Sequence, residues 1–415
     1  MNVLSTEIQG YAANSSMIRK MFEAGIELKK HYGADQVYDF SLGNPDLPPP
    51  AAVKKAILDF GRSANKPFAI GYMPNAGYPE TRAALAKKIS EEQQMETPAA
   101  NLVVTCGAAG GLNAFFRAVL EPGDEVMCPS PYFVEYGFYV GNFGGKLVPV
   151  PTKLPSFALD VPAMEKAITA KTRAVLVNSP NNPTGQIYSA TEIKALAAAL
   201  KRQSRKHGRP IYLVSDEPYR FLNFDGSEIP SIFARYDASV VIGSFSKSLS
   251  LAGERIGYIA VCPKFKGAAE LVGGLTLTNR ILGFVNAPAI AQKILQSCLD
   301  SEVDVGVYAK RRDLMAKVLD DAGIAYTLPR GAFYFFPKSP TADERIFVEA
   351  LLKERVLAVP GRGFGLPGYF RLAFCADAAV ILNSAASFKR AVAAVSGCQP
   401  AATKTCKKCR PAKKA

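Results

Sequence analysis

Lys247 sits in the segment Gly243-Ser244-Phe245-Ser246-Lys247, directly after the apolar run Ser239-Val240-Val241-Ile242. The pattern presents an amine at the carboxyl end of a buried strand, where open α/β sheets keep their ligands. A neutral lysine amine held there can form an imine with a carbonyl group. Arg255 follows eight residues later within Gly253-Glu254-Arg255-Ile256-Gly257. A guanidinium among glycines can fork onto a phosphate, although an arginine is more commonly a surface charge.

Four further segments have the same placement. Thr105-Cys106-Gly107-Ala108-Ala109-Gly110-Gly111 follows a strand and opens a helix. Small residues let backbone N–H groups approach an anion at the helix N-terminus, and the same turn also serves ordinary strand–helix packing. Asn178-Ser179-Pro180-Asn181-Asn182-Pro183-Thr184-Gly185 is either a proline-pinned turn or a means of aiming the Asn182 amide at a ligand hydroxyl. In Ser215-Asp216-Glu217-Pro218-Tyr219, Asp216 is either a helix N-cap or a carboxylate paired with a protonated pyridine nitrogen, with Tyr219 donating to the ring oxygen. Arg371, inside the apolar Tyr369-Phe370-Arg371-Leu372-Ala373-Phe374, needs a partner. A substrate carboxylate or an internal salt bridge would supply one. The joint chemistry is that of pyridoxal phosphate, with the lysine as imine former and the aspartate keeping the ring an electron sink.

With these residues in place, the chain resembles the class I/II, fold-type I pyridoxal-phosphate aminotransferases, the aspartate aminotransferase group. The resemblance rests on Asn182-Pro183-Thr184-Gly185, Asp216 with Tyr219, Ser244-x-Ser246-Lys247 with Arg255, and Arg371, and covers roughly residues 5 to 397. It implies that Lys247 forms the imine and moves the proton, that Asp216 holds the pyridine nitrogen, and that Asn182 and Tyr219 hold the ring oxygen. Ala108, Ala109, Ser244, Ser246 and Arg255 then line the phosphate site, Tyr132 stacks on the ring, and Gly43 with Arg371 grips the substrate α-carboxylate. Tyr72 matches a tyrosine that reaches the phosphate of the neighbouring subunit, which implies a homodimer with shared active sites. Arg280 lies near the position where some dicarboxylate enzymes place an arginine. The implied activity is transfer of an amino group between an L-amino acid, aspartate or another common one, and a 2-oxo acid by a ping-pong route. A lyase or decarboxylase on the same fold and a ligand-sensing regulator are the alternatives.

The elements that must position these residues are legible in the apolar pattern. Strands are predicted at Leu102–Thr105, Glu125–Cys128, Lys146–Pro149, Ala174–Asn178, Ile211–Ser215, Val240–Gly243 and Tyr258–Cys262, with helices such as Ala190–His207 between them. Near-continuous Val/Ile/Leu runs suit parallel strands buried on both faces, so the expected class is α/β, with a mostly parallel doubly wound sheet. A large cofactor-binding domain is expected over residues 51–301. A smaller α+β domain is expected from residues 1–50 and 302–398. It comprises helical periodicity over Thr6–Tyr32 and a strand at Val37–Leu42. After these come a long helix at Val303–Ala322, strands at Phe333–Pro337 and Phe370–Phe374, and a final helix at Ala378–Ser396.

The bulk composition agrees with a globular enzyme of 415 residues, 48% hydrophobic and 21% charged. No apolar run approaches the ~18 residues of a membrane span, no secretory signal is visible, and eight scattered cysteines suit a reduced, cytoplasmic protein. The net charge is +14, of which six charges fall in residues 399–415, leaving +8 for residues 1–398. Such a body suits anionic substrates and cofactors and does not argue for nucleic acid. The tail, with Cys398, Cys406 and Cys409, lacks the four ligands of a zinc site and is expected to be a disordered basic extension, with no metal bound.

Overall fold

The computed structural model describes residues 3–13 and 17–396. The basic tail and its three cysteines lie outside the described residues. Strand β1 (Tyr38–Asp39) precedes the strands of the main sheet: β2 (Leu102–Cys106), β3 (Glu125–Ser130), β4 (Lys146–Pro151), β5 (Thr172–Asn178), β6 (Tyr212–Asp216), β7 (Ser239–Ser244) and β8 (Ile256–Val261). The short strands β9 (Tyr334–Phe335), β10 (Val356–Leu357), β11 (Val359–Pro360) and β12 (Phe370–Ala373) follow.

The seven-stranded sheet has the order β2-β8-β7-β6-β5-β3-β4. Six strands run the same way, while β8 is antiparallel to both its neighbours, β2 and β7. Every residue of β6 and β8 is buried, so these strands are covered on both faces. The core around this sheet draws on residues from Val53 to Leu299. A second core gathers Phe40 and residues from Val303 to Val395 around β9 and β12, and Tyr219 and Leu222 of the large segment pack into it. The three-stranded sheet β11-β12-β9 is antiparallel, and β1 pairs in parallel with β10.

Local signals explain several boundaries. The helix Ala190–His207 starts at a reciprocal cap, in which Ser189 Oγ accepts from the Glu192 N–H and the Glu192 carboxylate accepts from the Ser189 N–H. It stops at Gly208 in the left-handed conformation. The helix Val305–Asp321 begins after Asp304, whose carboxylate accepts from the Gly306 N–H.

Elsewhere the structure differs from expectation. The N-terminal periodicity resolves into two helices, Thr6–Ala13 and Met17–Tyr32. The strands expected at Val37–Leu42 and Phe333–Pro337 shrink to two residues each, β1 and β9, although flanking residues keep single backbone bonds, such as Phe40 N–H to Leu357 and Phe370 N–H to Pro337. Ala378–Ser396 is long and apolar enough by composition to cross a membrane, with mean hydropathy 1.3. It is broken at Ser384 into Ala378–Asn383 and Ala385–Ser396, and it buries Ile381, Phe388, Ala391 and Val395 in the second core. Its apolarity therefore belongs to packing.

The reciprocal cap gives a direct test. Ser189→Ala should lower unfolding stability by about 1 kcal/mol in a denaturant titration. A loss under a few tenths would mean that the cap carries no weight here.

Candidate active site

At the carboxyl ends of β2, β5, β6 and β7 lies a cavity of about 370 Å³. Its floor is bare backbone. Gly107, at the start of the helix Gly107–Val119, has φ +69°, and a Cβ there would sit 2.9 Å from an Arg255 guanidinium nitrogen. Gly257 of β8 lies across from Thr105 of β2. A Cβ on Gly257 would come within 2.6 Å of the Gly243 carbonyl oxygen and 2.7 Å of the Gly107 carbonyl carbon. Without side chains at these positions, β7, β8 and the helix start can close together. Ala108, Ala109, Ser244, Ser246 and Arg255 line the cavity around that helix start. This is the donor set that suits a phosphate: N–H groups at a helix N-terminus, two hydroxyls and one guanidinium.

Asn178 and Asp216, the last residues of β5 and β6, are partners in register. The Asn178 amide donates to the Asp216 backbone carbonyl at 2.8 Å, and its oxygen accepts from the Asn182 N–H at 2.7 Å. Thus one strand-end asparagine fixes both the aspartate and the turn that follows β5. One carboxylate oxygen of Asp216, Oδ2, accepts from the buried Tyr136 hydroxyl at 2.6 Å. The other, Oδ1, is buried and has no partner. Burial pushes this carboxyl up to about 7, with the Tyr136 hydrogen bond opposing the shift and nearby Glu217 adding to it. No helix starts after Asp216, so the N-cap alternative is excluded. An unpaired buried carboxylate oxygen is costly, and a protonated ring nitrogen would satisfy it.

Above this floor the Lys247 amine donates to the Gly43 carbonyl oxygen at 2.6 Å. Burial lowers its pKa to about 8; the buried Cys375 thiol works against the shift, and Arg371 and Arg255 add to it. A neutral amine is therefore available near neutral pH. Gly43 is required for this contact, because a Cβ there would lie 2.0 Å from the Tyr334 hydroxyl oxygen. The Tyr334 and Tyr219 hydroxyls are 2.8 Å apart.

Arg371 is 2% exposed. It donates to Asn182 Oδ1 at 3.1 Å and to the Ser41 carbonyl at 2.5 Å, between the rings of Tyr334 and Phe364. Its Nε has no partner, and no carboxylate of the described residues pairs with it. The internal salt bridge left open by the sequence is thus absent. The guanidinium faces the cavity with its charge unneutralised.

Tyr132, Tyr72 and Arg280 do not line this cavity, and of the three only Tyr132 is expected in the site of its own chain. The Tyr132 N–H is tied to the Phe364 carbonyl at 3.0 Å, and its ring lies against Gly365. The adjacent Phe133 faces the cavity in its place. Tyr72 is 93% exposed, and Arg280 is exposed near the end of the helix Ala268–Ile281, so neither reaches the cavity of its own chain. Conversely, Phe133, Glu135, Tyr136, Tyr139 and Tyr334 line the cavity without having been singled out from the sequence. Tyr136 and Tyr139 lie one turn apart on the helix Glu135–Gly141, a spacing that reads as ordinary core.

Such a cavity, at the switch from strands to helices and with a lysine, a buried aspartate and two arginines converging on it, defines a fold-type I aminotransferase. The sequence profile of the family "Aminotransferase class I and II" matches residues 35–387, and the chain belongs to that family. Among its relatives, the aspartate/prephenate aminotransferase of Thermus thermophilus is 35% identical over 84% of this chain and 89% of its own. A probable aspartate/prephenate aminotransferase of Aquifex aeolicus is 31% identical over 86% and 91%. Among solved structures, an amino transferase from Eubacterium rectale superposes with a TM-score of 0.91 at 38% identity, covering 95% of this chain and all of its own. The aspartate aminotransferase of Thermus thermophilus with maleate gives 0.84 at 30% identity, covering 94% and 100%. The protein is a transaminase, acting between amino acids and oxo acids. The lyase alternative is not favoured by these relatives.

The buried carboxyl carries a pH signature. Asp216 has a folded pKa of about 7, above the unfolded value of about 3.9. The folded state therefore binds the extra proton. This group's contribution is fully present below the unfolded value and is lost as pH rises through about 7. In ligand-free protein, Asp216→Asn should thus gain thermal stability relative to wild type as pH rises from about 4 to about 8. A stability difference independent of pH would refute the burial argument.

Proposed function

We propose that the cavity holds pyridoxal 5'-phosphate and that the residues of the site divide between cofactor and substrate. Ala108, Ala109, Ser244, Ser246 and Arg255, with the start of the helix Gly107–Val119, take the phosphate. Asp216, braced by Tyr136, takes the ring nitrogen; Asn182 and Tyr219 take the ring oxygen; Phe133 covers a ring face. Arg371, with Asn182 and the Gly43 backbone, takes the substrate α-carboxylate. The observation that carries this reading is the unpartnered buried oxygen of Asp216 on the same cavity wall as the amine of Lys247.

When bound, the cofactor supplies an electron sink for the bonds at the substrate α-carbon. The protein supplies the proton traffic. Lys247 Nζ, held partly neutral by burial, would take up the Cα proton of a bound substrate and carry it as the protonated amine until it is released. Arg371 fixes the carboxylate by charge-assisted hydrogen bonds. The amino donor is aspartate or another common amino acid, in keeping with the names of the relatives. The free thiols Cys106, Cys128, Cys262, Cys298 and Cys375 fit a cytoplasmic setting.

We also propose a two-fold homodimer in which Tyr72 reaches the phosphate site of the partner subunit. Tyr72, Phe68 and Ile70 are all exposed in one short segment, an unusual density of bare apolar surface.

A panel of amino acids with 2-oxoglutarate, followed at the cofactor absorbance, identifies the donor. Lys247→Ala should lose both turnover and the visible band of the lysine-bound cofactor; retention of both would refute the assignment. Arg371→Leu should weaken kcat/KM by roughly 10- to 100-fold with the cofactor spectrum intact. Mixing the Lys247→Ala and Tyr72→Ala proteins should restore activity, because one hybrid site then contains both an intact lysine and an intact tyrosine. No recovery in verified hybrids would exclude the shared site.

A further inference from the structure

A second groove, of about 710 Å³, lies at the opposite edge of the main sheet. It is formed by the residues that precede β6 and β7 and follow β8: Pro210, Ala238 and the turn Lys264–Lys266. The active-site residues end β5, β6 and β7, so a strand length, roughly 17 Å for five residues, separates the two sites. Its volume falls in the range of about 300–1,000 Å³ that small-molecule pockets occupy.

The charge of this groove is one-sided, with cations from two separate segments. Lys201 and Arg205 reach it from the helix Ala190–His207, and Lys264 and Lys266 from the turn after β8. None of these four side chains pairs with an acid among the described residues. Arg202, next to Lys201 in the chain, does not line the groove and is paired with Glu165 at 2.7 Å. Arg209, at the groove edge, is bound to Asp124 at 2.6 Å and keeps its buried Nε without a partner. Asp237 is the only acid among the groove's lining residues. The end of a helix attracts cations by itself, which accounts for Arg205 but not for Lys264 and Lys266 on a separate segment. Between the two basic arms the wall is apolar and partly aromatic. Phe265 is half-buried, set edge-on to Tyr212 with centroids 5.7 Å apart, and Tyr236 and Pro210 continue the surface.

We propose that this groove binds a nucleotide-class ligand: a polyanionic phosphate chain held between Lys201/Arg205 and Lys264/Lys266, with a flat ring laid against Phe265. Unpaired cations from two segments supply the charge for phosphate, and an aromatic wall between them supplies the stacking face for a base. The site is independent of the cofactor cavity and stands whether or not the assignments there hold.

The test uses the cofactor-saturated protein, so that the phosphate cradle of the active site is filled. Calorimetric titrations with ATP, AMP and tripolyphosphate at physiological ionic strength should show saturable ATP binding. Paired Lys201→Glu/Arg205→Glu and Lys264→Glu/Lys266→Glu exchanges should each weaken it about tenfold or more, with turnover and cofactor absorbance unchanged as evidence of folding. Phe265→Leu, which keeps the packing on Tyr212, should weaken ATP and AMP but not tripolyphosphate. Absence of saturable binding would overturn the proposal, as would binding that survives both charge reversals. Equal affinity for ATP and tripolyphosphate, indifferent to Phe265→Leu, would mark an adventitious ion only and overturn the nucleotide assignment.

Discussion

Asp216 holds a carboxylate where water does not reach, and one of its oxygens is left without a donor. Burying such a group is among the more expensive things a fold can do. The surrounding structure reads as the means of tolerating it. Asn178 ties down its backbone from the adjacent strand, and Tyr136 satisfies one oxygen from a helix on another element. Parallel pairing of β5 with β6 sets both residues at the same sheet edge. What remains unsatisfied belongs to a residue of the cavity wall, so the energetic cost of the folded state is one that a cationic group of a ligand could offset.

Lys247 works by the opposite logic on the same wall. Burial there disfavours the charged amine, as it disfavours the charged carboxyl of Asp216, so both groups are moved toward neutrality. For the lysine this makes a base; for the aspartate it makes a strong partner for any proton that arrives with a ligand. A single low-dielectric cavity thus prepares an acid site and a base site without any direct contact between them.

Much of this was legible in the sequence, for physical reasons that can be named residue by residue. Helix Ala190–His207 was readable to its ends because Ser189, Glu192 and Gly208 are local stop and start signals. The strands were readable within a few residues because their apolar runs are long. Direction was not: Ile256–Val261 is as fully buried as the parallel strand Tyr212–Asp216, and burial on both faces erases the trace of an antiparallel strand. Tyr132 and Phe133 are adjacent aromatics, and only the tie between Tyr132 and Phe364 decides which ring faces the cavity. Tyr334 comes from the second core, 115 residues away from Tyr219 in the chain, and no local pattern announces such a meeting.

Most of the residues proposed to seat the cofactor and those proposed to clamp the substrate carboxylate belong to different packing units. Lys247, Asp216 and Arg255 are carried on the main sheet, whereas Gly43, Tyr334 and Arg371 come from segments that pack with the second core. They meet through the contacts of Lys247 with Gly43, Arg371 with Asn182 and Tyr334 with Tyr219, across a seam where Tyr219 and Leu222 pack into the second core and the Ala332 N–H donates to the Leu222 carbonyl. A small slide of one core over the other would therefore reshape the space for a substrate side chain, and would reach the cofactor seat only at its margin, through Tyr219 and Asn182. In such a molecule substrate range is a property of how two bodies are mated, and it can drift through substitutions at their seam that never touch the chemistry.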